Sequence, residues 1–308
     1  MKQLIVNADD FGLHELINEG IVEGHVTGCV TSASIMAGGG AFEHAVKLAG
    51  NYPKLGVGVH LTLVGAHPVA RGDIHTLLTS EGDFLPNYGQ FVKRYASGQI
   101  SKKHIEWELL CQIQRVAGTG IKITHVDSHQ HLHVLPGLAE VISRVAREFN
   151  ISKIRIPAEP MGFLGVGACN VSRILARTVL TGCSLLAHRV YTRKGFFFPQ
   201  HFFGMLAGGA MRQAPLLHIL QELPEGLTEI MVHPGKDAQA LGQLFPWEYH
   251  WEEEVEALKC KEVLATIKKR GIQLVNYGEI GNIDERFGSK SPLEDLARLG
   301  RDHYCDEK

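Results

Sequence analysis

The sequence predicts an α/β fold, a (β/α) barrel of seven or eight strands that is either complete or partly open and distorted. Short apolar runs alternate with longer helical patterns along most of the 308 residues. This alternation favours parallel strands joined by crossover helices. Several apolar runs also end in polar residues, as expected where strands of such folds approach a site. A doubly wound open sheet is the alternative architecture.

The predicted strands are short, apolar and evenly distributed. They cover residues 3–7, 31–36, 56–63, 123–127, 153–156, 229–233 and 273–276, and 196–198 would be an eighth. Helical periodicity between them predicts helices over 16–26, 41–48, 103–116, 138–149, 171–185, 211–221 and 252–269.

One catalytic domain is expected over residues 1–280. Two stretches rich in glycine or aromatic residues, 65–101 and 158–209, interrupt the pattern as loop insertions. The polar segment 281–308 is expected to be a peripheral tail.

The composition argues for some classes of protein function and against others. The net charge of −2 gives no general attraction to nucleic acid, and 17 histidines weakly favour a metalloenzyme. Six scattered cysteines without C-x-x-C spacing argue against a zinc knuckle or a disulfide framework. No secretory segment and no apolar stretch of about 20 residues is found, so a cytoplasmic location is expected.

Asp9 and Asp10 are adjacent where the first apolar run stops. Neighbouring carboxylates repel unless a cation or a shared proton compensates. A bend at the following Phe11-Gly12 would direct both carboxylates into the same site opening. There, one carboxylate would bind a metal and the other would accept a proton from water. The structural alternative is that an aspartate caps the next helix.

Histidines occupy later strand ends. In the third strand, alternation places His60 on a face shared with Gly56 and Gly58, which suits a cramped interior holding a site. The segment Thr124-His125-Val126-Asp127-Ser128-His129-Gln130-His131 begins within the next predicted strand, 123–127, and continues past its end. Its imidazoles suit zinc and other first-row ions, and those of His125 and His129 can converge if the strand continues. Asp127 can be a ligand or can orient a ligating histidine. His129, His131 and His133 cannot all be ligands, and some of them are expected to line the pocket.

Two more polar residues end apolar runs. His233, before Pro234-Gly235, is placed for general-acid work on a leaving group, or simply for turn contacts. Arg155 is predicted to clamp an anionic group, to orient a catalytic aspartate, or to form a structural ion pair. The motifs of serine hydrolases, P-loop proteins and zinc proteases are absent, and Gly38-Gly39-Gly40 lacks dinucleotide-binding spacing.

Taken in order, the segments Asn7–Gly12, Gly58–Leu61, Thr124–His131, Arg155–Pro157 and His233–Gly235 resemble the YdjC-like carbohydrate deacetylase family. The resemblance spans roughly the whole predicted domain. Residues 31–38 and Phe202-Phe203-Gly204 look most like its hopanoid-biosynthesis-associated branch, and another branch deacetylates chitooligosaccharides.

The resemblance implies a barrel related to polysaccharide deacetylases and one divalent ion, described for the family as Mg²⁺. It implies that Asp10, His60 and His125 hold this ion, with Asp9 as general base and His233 as acid. Two imidazoles and one carboxylate are chemically better suited to Zn²⁺, so both ions stay open.

The predicted function is hydrolysis of an N-acetyl group on an amino sugar, with a sugar or glycolipid substrate and no nucleic acid partner. An acetylglucosamine head on a hopanoid lipid would place Phe202 and Phe203 near the apolar part. A chitooligosaccharide deacetylase, another metal-dependent amidohydrolase or phosphoesterase, and a non-catalytic sugar- or lipid-binding protein are the alternatives. Peripheral membrane contact and a homodimer are also open.

Overall fold

The computed structural model describes residues 1–160, 163 and 171–280, without the side chains of residues 171 and 172. The predicted tail, 281–308, and part of the second predicted insertion lie outside the described residues. The strands are β1 (Lys2–Phe11), β2 (Ser32–Ile35), β3 (Gly56–Leu61), β4 (Val126–Ser128), β5 (His201–Phe203), β6 (Gly226–Val232) and β7 (Gln273–Leu274).

Helices follow most of the strands. They are α1 (Glu15–Val26), α2 (Phe42–Asn51), α3 (Tyr88–Ala96), α4 (Lys102–Gly118), α5 (Leu138–Glu148), α6 (Val171–Arg193), α7 (Gln213–Gln221), α8 (Ala238–Leu244), α9 (Trp251–Lys259) and α10 (Lys261–Lys269). Short 3-10 turns cover His75–Leu77 and His129–Val134. The stretch predicted as one helix over 252–269 is two helices that meet at Cys260.

The strands form one parallel sheet in the order β4-β3-β2-β1-β6-β5, with β7 paired to β1. The predicted parallel α/β class is therefore confirmed. Closure into a complete barrel is not: residues 153–156, predicted as a strand, contribute only the isolated bridges Val126–Ile154 and Lys153–Phe197 in the described chain. The strand predicted at 196–198 is found a few residues later in the chain, as β5 (His201–Phe203).

The sheet is curled, so its two outer strands approach the same interior. The ring of Phe202, on β5, lies 6.0 Å from the ring of His131, which follows β4 at the opposite end of the strand order. The Arg155 guanidinium lies between them, 5.7 Å from the Phe202 ring centroid. This curl, a half-barrel, brings the carboxyl ends of distant strands to one place.

Strand β3 separates an apolar outer side from a polar interior, as the alternation predicts. Val57, Val59 and Leu61 belong to the main hydrophobic core. On the other face, a Cβ on Gly58 would lie 2.3 Å from the imidazole of His125. Glycine is therefore required there because a ring fills the space that a side chain would need.

The predicted insertion 65–101 is structured and contains α3, which sequence periodicity did not indicate. Buried Glu108 of α4 fixes its start by accepting hydrogen bonds from the backbone N–H groups of Val69 (2.9 Å) and Ala70 (2.8 Å). The later part of this insertion is connected to the site region, because the N–H of Tyr88 donates to the side chain of Gln130 at 2.9 Å.

Helix α1 packs against the turn that follows β6 with almost no space between the two backbones. A Cβ on Gly20 would lie 2.5 Å from the Cα of Gly235. The turn after β6 can therefore approach α1 only because residue 20 lacks a side chain. Among the helices of the described chain, none is both long and apolar enough to cross a membrane.

Candidate active site

Both adjacent aspartates lie within β1, which continues four residues beyond its predicted end. The β1–β2 register shifts between Ala8 and Phe11, where β1 has one residue more than its partner. Asp10 has a φ of 65°, in the left-handed region. A bulge of this kind redirects a side chain. The bulge at Asp10, rather than a bend at Phe11-Gly12, thus brings both carboxylates to the interior.

Helix capping does not explain the two aspartates. The cap of α1 is His14, whose side chain accepts a hydrogen bond from the Leu16 N–H at 3.2 Å. Asp9 and Asp10 are 2% and 3% exposed, and neither makes a capping bond to α1. Buried carboxylates require compensating charge or hydrogen bonds, which the neighbouring strands supply.

Arg155 supplies the compensating positive charge, and it is fully buried. Its Nη1 and Nη2 atoms each donate to Asp9 at 2.7 Å, and Nη1 lies 2.9 Å from Asp127. Its Nε donates to Glu229 of β6 at 2.9 Å. Of the roles predicted for Arg155, orienting an aspartate agrees with this geometry. A clamp on a substrate anion does not, since three carboxylates surround a guanidinium without solvent access.

Asp127 orients His60. Its Oδ1 lies 2.8 Å from the Nδ1 of His60, which fixes Nδ1 as the donor nitrogen and leaves Nε2 directed toward the aspartates. The His60 Nε2 lies 3.4 Å from Asp10 and 4.0 Å from Asp9. Of the two roles predicted for Asp127, support of a ligating histidine agrees better with its position than direct ligation.

Asp10, His60 and His129 offer donor atoms within 4.8 Å of one another. The Asp10 Oδ1 lies 3.0 Å from the His129 Nδ1 and 3.4 Å from the His60 Nε2. Atoms bound at about 2.1 Å to one ion are about 3 Å apart, so the spacing fits a shared metal. The other ring nitrogen of His129, Nε2, is buried and has no hydrogen-bond partner among the described residues.

The structure does not bring the predicted ligand His125 into this group. Its Nδ1 and Nε2 are hydrogen-bonded to Thr124 (2.9 Å) and Ser34 (3.1 Å), and its ring stacks on Tyr277 at 3.8 Å. Both nitrogens are therefore engaged below the site. His129, which was expected either to converge with His125 or to line the pocket, occupies the place beside Asp10 that was predicted for His125.

An alternative group, Asp9, His60 and Asp127, also has donor atoms within 4.8 Å. It suits a cation less well, because the Arg155 guanidinium contacts both of its carboxylates at 2.7–2.9 Å. Charge repulsion from the guanidinium disfavours a metal at that position.

The turn after β4 has an unusual backbone. Gln130 and His131 both have left-handed φ values, 54° and 56°. Such conformations in residues other than glycine are costly and often mark functional sites. The turn leaves His131 lining the pocket, as predicted. It buries His133, whose nitrogens lie 2.6 Å from the Ser128 Oγ and 3.0 Å from the Arg155 carbonyl.

His233 follows β6 and lines the same pocket. Its backbone N–H donates to buried Glu254 at 2.5 Å, and its Nδ1 is buried without a partner. Its ring lies 4.9 Å from that of Tyr249. Because its side chain is held by packing rather than by hydrogen bonds, His233 is available to a substrate.

The two phenylalanines predicted to contact substrate are buried beside the site. Phe202 is 1% exposed and contacts Arg155 and His131, which makes it a support for these residues. Phe203 is 7% exposed and packs on Phe163 at 5.2 Å. Neither ring lines the pocket.

The pKa values of Asp10, Glu229 and His60 are shifted by their burial and by their charged neighbours. Burial alone would raise the pKa of Asp10, but His129, followed by His60, holds that pKa well below its ordinary value. Burial disfavours a charged His60, yet the charges of Asp127 and Asp9 raise its pKa to about 10. Burial raises the pKa of Glu229 to about 7 against the opposing charge of Arg155. The pocket thus attracts positive charge.

The pocket is a cavity of about 230 Å³ above these residues. Asp9, His60, His129, His233 and Tyr249 are among its lining residues. The remaining lining residues are Gln130, His131, Arg173, Met205, Gly208 and Met231. A cavity lined by a carboxylate and by two imidazoles of a candidate metal group suits hydrolytic chemistry.

A family model described as YdjC-like protein matches residues 3–269. This chain belongs to the YdjC-like family. Among its relatives, a carbohydrate deacetylase of Brevibacillus brevis is 32% identical over 280 residues, covering 91% of this chain and all of that protein. One of Mus musculus is 31% identical, covering 94% and 98%.

A solved structure supports the same YdjC-like fold. A candidate cellobiose-phosphate cleavage protein of Enterococcus faecalis V583 superposes with a TM-score of 0.72 and 25% identity. The match covers 91% of this chain and 99% of that one. The full-length agreement shows that the curled sheet and its insertions form one shared architecture.

Several site residues of this YdjC-like chain were not predicted from sequence. Glu229 could have been suspected, because it is an acidic residue inside an apolar strand. Tyr249 and Trp247 belong to the aromatic run 245–251, whose rings lie 5.0–5.6 Å apart in sequence order. Glu254 and Arg173 have no local signal, because only the tertiary fold brings them to the pocket.

Proposed function

We propose that this protein is a metal-dependent hydrolase that removes the N-acetyl group from an amino sugar. The broader class, carbohydrate deacetylase, is the name carried by relatives that match nearly the whole chain. The observation that carries the finer proposal is that Asp9, His60 and His129 line one cavity, with Asp10 buried within metal-sharing distance of the two imidazoles.

Asp10, His60 and His129 would hold one divalent ion, in place of the set with His125. When bound, the ion supplies Lewis-acid polarisation of a carbonyl and lowers the pKa of a water. The donor set of two imidazoles and one carboxylate favours Zn²⁺, whereas the family resemblance implies Mg²⁺. His129, followed by His60, holds the pKa of Asp10 low, so its carboxylate is ready to ligate.

Asp9 is proposed as the general base. Arg155 holds both of its oxygens at 2.7 Å, and Asn7 donates to its Oδ1 at 2.9 Å. These contacts fix the direction of the carboxylate, so that its remaining lone pairs face the cavity and accept the proton of water. Arg155 is a positioning residue, since it is buried and does not reach substrate.

His233 is proposed as the general acid. Its Nδ1 has no protein partner and its ring lines the cavity opposite the carboxylates. As the bond between the acetyl carbon and nitrogen breaks, His233 donates a proton to that nitrogen. Acetate and a free amino sugar are the products, and the proton taken by Asp9 balances the one given by His233.

The substrate proposal is one acetylated sugar unit at the cavity, either from a chitooligosaccharide or as the head of a glycolipid such as a hopanoid. The small volume suits a single unit. The glycolipid form, and with it peripheral membrane contact, has support from α6, whose outer side exposes Leu175 (65%), Val179 (61%) and Leu186 (52%). The homodimer and the cytoplasmic location stay predictions.

An acetate-release assay tests the proposed function. Protein stripped of metal is supplied in parallel with Mg²⁺, Zn²⁺ or Mn²⁺ and given a chitooligosaccharide, an acetylglucosamine glycolipid or a phosphate monoester. Metal-restored acetate release from either sugar is expected, and the ratio of the two rates separates the substrates. Phosphate release alone would favour a phosphoesterase. Sugar binding without turnover under every metal would favour a non-catalytic protein.

A further inference from the structure

The aromatic segment after α8 contributes a polar group to the cavity that the chemistry above does not use. Tyr249 lines the cavity together with Asp9, His60 and His233. Its ring lies 4.9 Å from that of His233. The phenol ring therefore lies beside the proposed acid, in the cavity that the proposed base and two of the candidate metal ligands also line.

The Tyr249 ring is held in place by its surroundings. A Cβ on Gly209 would lie 2.1 Å from the Tyr249 Cδ1, so the ring covers a position that only glycine can occupy. The next residue, His250, donates its N–H to the Gly209 carbonyl at 2.7 Å. Trp247 and Trp251 lie on either side of the ring at 5.5 and 5.6 Å. This packing fixes the direction of the hydroxyl.

The hydroxyl itself makes no hydrogen bond with any residue that the structure describes. A phenol keeps its proton at neutral pH and is a donor. Burial raises the pKa of the Tyr249 hydroxyl further, and among charged groups Asp10 adds most to that increase. The hydroxyl is therefore a protonated donor of a cavity-lining residue, and no described residue engages it.

We propose that the Tyr249 hydroxyl is a further catalytic group, which donates a hydrogen bond to the acetamide oxygen of the substrate as negative charge develops there. This inference rests on the proposed deacetylation. During the reaction, water oxygen bonds to the acetyl carbon and the carbonyl electrons move onto its oxygen. Tyr249 keeps its proton throughout and stabilises that oxygen by hydrogen bonding.

Tyr249→Phe removes the donor and keeps the ring. Loss of one such donor costs about 10²–10³-fold in kcat, with KM, metal content and thermal midpoint unchanged. Tyr52→Phe is the matched control, because Tyr52 is a half-buried tyrosine outside the cavity. It should retain the wild-type rate. An unchanged kcat in Tyr249→Phe would overturn the assignment.

Gly209→Ala provides a second, independent variant. The added methyl must displace the Tyr249 ring without removing its hydroxyl, so the same loss of kcat is expected. Gly242→Ala on α8 is its control, since a Cβ there meets nothing within 4 Å. Full activity in Gly209→Ala, with unchanged stability, would show that the position of the ring is irrelevant to catalysis.

A trifluoroacetylated sugar separates this role from a structural one. Fluorine stabilises the developing charge, so the Tyr249→Phe penalty should shrink to under about tenfold. An equal penalty on both substrates would overturn oxyanion stabilisation.

Binding of a sugar methylphosphonamidate, a tetrahedral mimic of the reacting amide, tests the same contact without turnover. Tyr249→Phe should weaken this binding about 100-fold while binding of the N-acetyl sugar is kept. If the wild-type protein binds the mimic but releases no acetate, only the proposed function fails. If it binds neither sugar nor mimic, both fail.

Discussion

Asp9 and Arg155 are joined by two parallel hydrogen bonds, Nη1 to Oδ2 and Nη2 to Oδ1, each of 2.7 Å. This two-point contact determines the rotation of the carboxylate as well as its position. Because the same guanidinium contacts Asp127 and Glu229, it links β1, β4 and β6 at the base of the pocket.

Replacing Arg155 should separate its geometric role from its charge. In Arg155→Lys a charge remains, but a single ammonium cannot hold both oxygens of Asp9, so kcat should fall by more than about tenfold. Arg155→Met leaves buried carboxylates without a cation and should cost about 3–5 kcal/mol of unfolding free energy, measured in urea. Arg144→Lys, at an exposed pair with Glu106, is the control and should change neither quantity.

Asp9→Asn should keep metal but lose about 10²–10⁴-fold in turnover, because the amide cannot accept a proton from water. Metal content by mass spectrometry and initial rates of acetate release give the two quantities. Asp73→Asn, at an exposed carboxylate far from Asp9 in the chain, should behave as wild type. A metal-loaded Asp9→Asn protein with the full rate would contradict the base assignment.

The two candidate histidines can be distinguished directly. His129→Ala should weaken metal affinity by more than about 100-fold, since even supporting residues of metal ligands contribute 10–100-fold. His125→Ala should bind metal normally but lose about 2–4 kcal/mol of stability, because it leaves a cavity between Gly58 and Tyr277. Calorimetric titration and urea unfolding measure both effects. The opposite pattern would restore His125 as the ligand.

The free energy of unfolding should decrease at acidic pH because of His133. Burial lowers its pKa in the folded chain to about 3, below the unfolded value of about 6.5. Its contribution is therefore complete above pH 6.5 and is lost as the pH falls toward 3, because only the unfolded chain takes up the proton. The slope for one proton is about 1.4 kcal/mol per pH unit.

His133→Gln should be less stable at pH 8, where its hydrogen bonds are weakened, yet should lose less stability between pH 6.5 and 5. Urea unfolding at several pH values gives the slope. His188→Gln, at an exposed histidine of α6, is the control and should retain the wild-type slope. If His133→Gln leaves the slope of unfolding free energy against pH unchanged, protonation of this imidazole does not contribute to the loss of stability in acid.

The features that could be predicted from the sequence are those that depend on regular alternation of side chains or of secondary-structure elements. His60 faces the interior because β3 is a regular strand, and the parallel class follows from the repeat of strands and helices. Residues at irregular backbone were harder to assign. The bulge at Asp10 has no sequence signature, and Gln130 and His131 adopt left-handed conformations that alternation cannot foresee.

His129, rather than His125, lies beside Asp10 for the same reason. The alternation argument placed His125 and Asp127 together on the interior face of a strand over residues 123–127, but β4 begins at Val126. The 3-10 turn that follows carries His129 across to Asp10, a pairing between residues 119 positions apart. Long-range contacts such as this one, or Arg155 with three strands, depend on how the sheet curls rather than on local pattern.

The contact between Gly20 and Gly235 ties the first helix to the turn beside His233, although the two glycines are encoded at distant places in the gene. A methyl group on Gly20 would push the backbone of Gly235 away, whereas one on Gly235 would instead meet Leu241 and Trp251. Chimeras that join the N-terminal part of a relative to the C-terminal part of this chain will therefore work only when the relative has glycine at the position of Gly20.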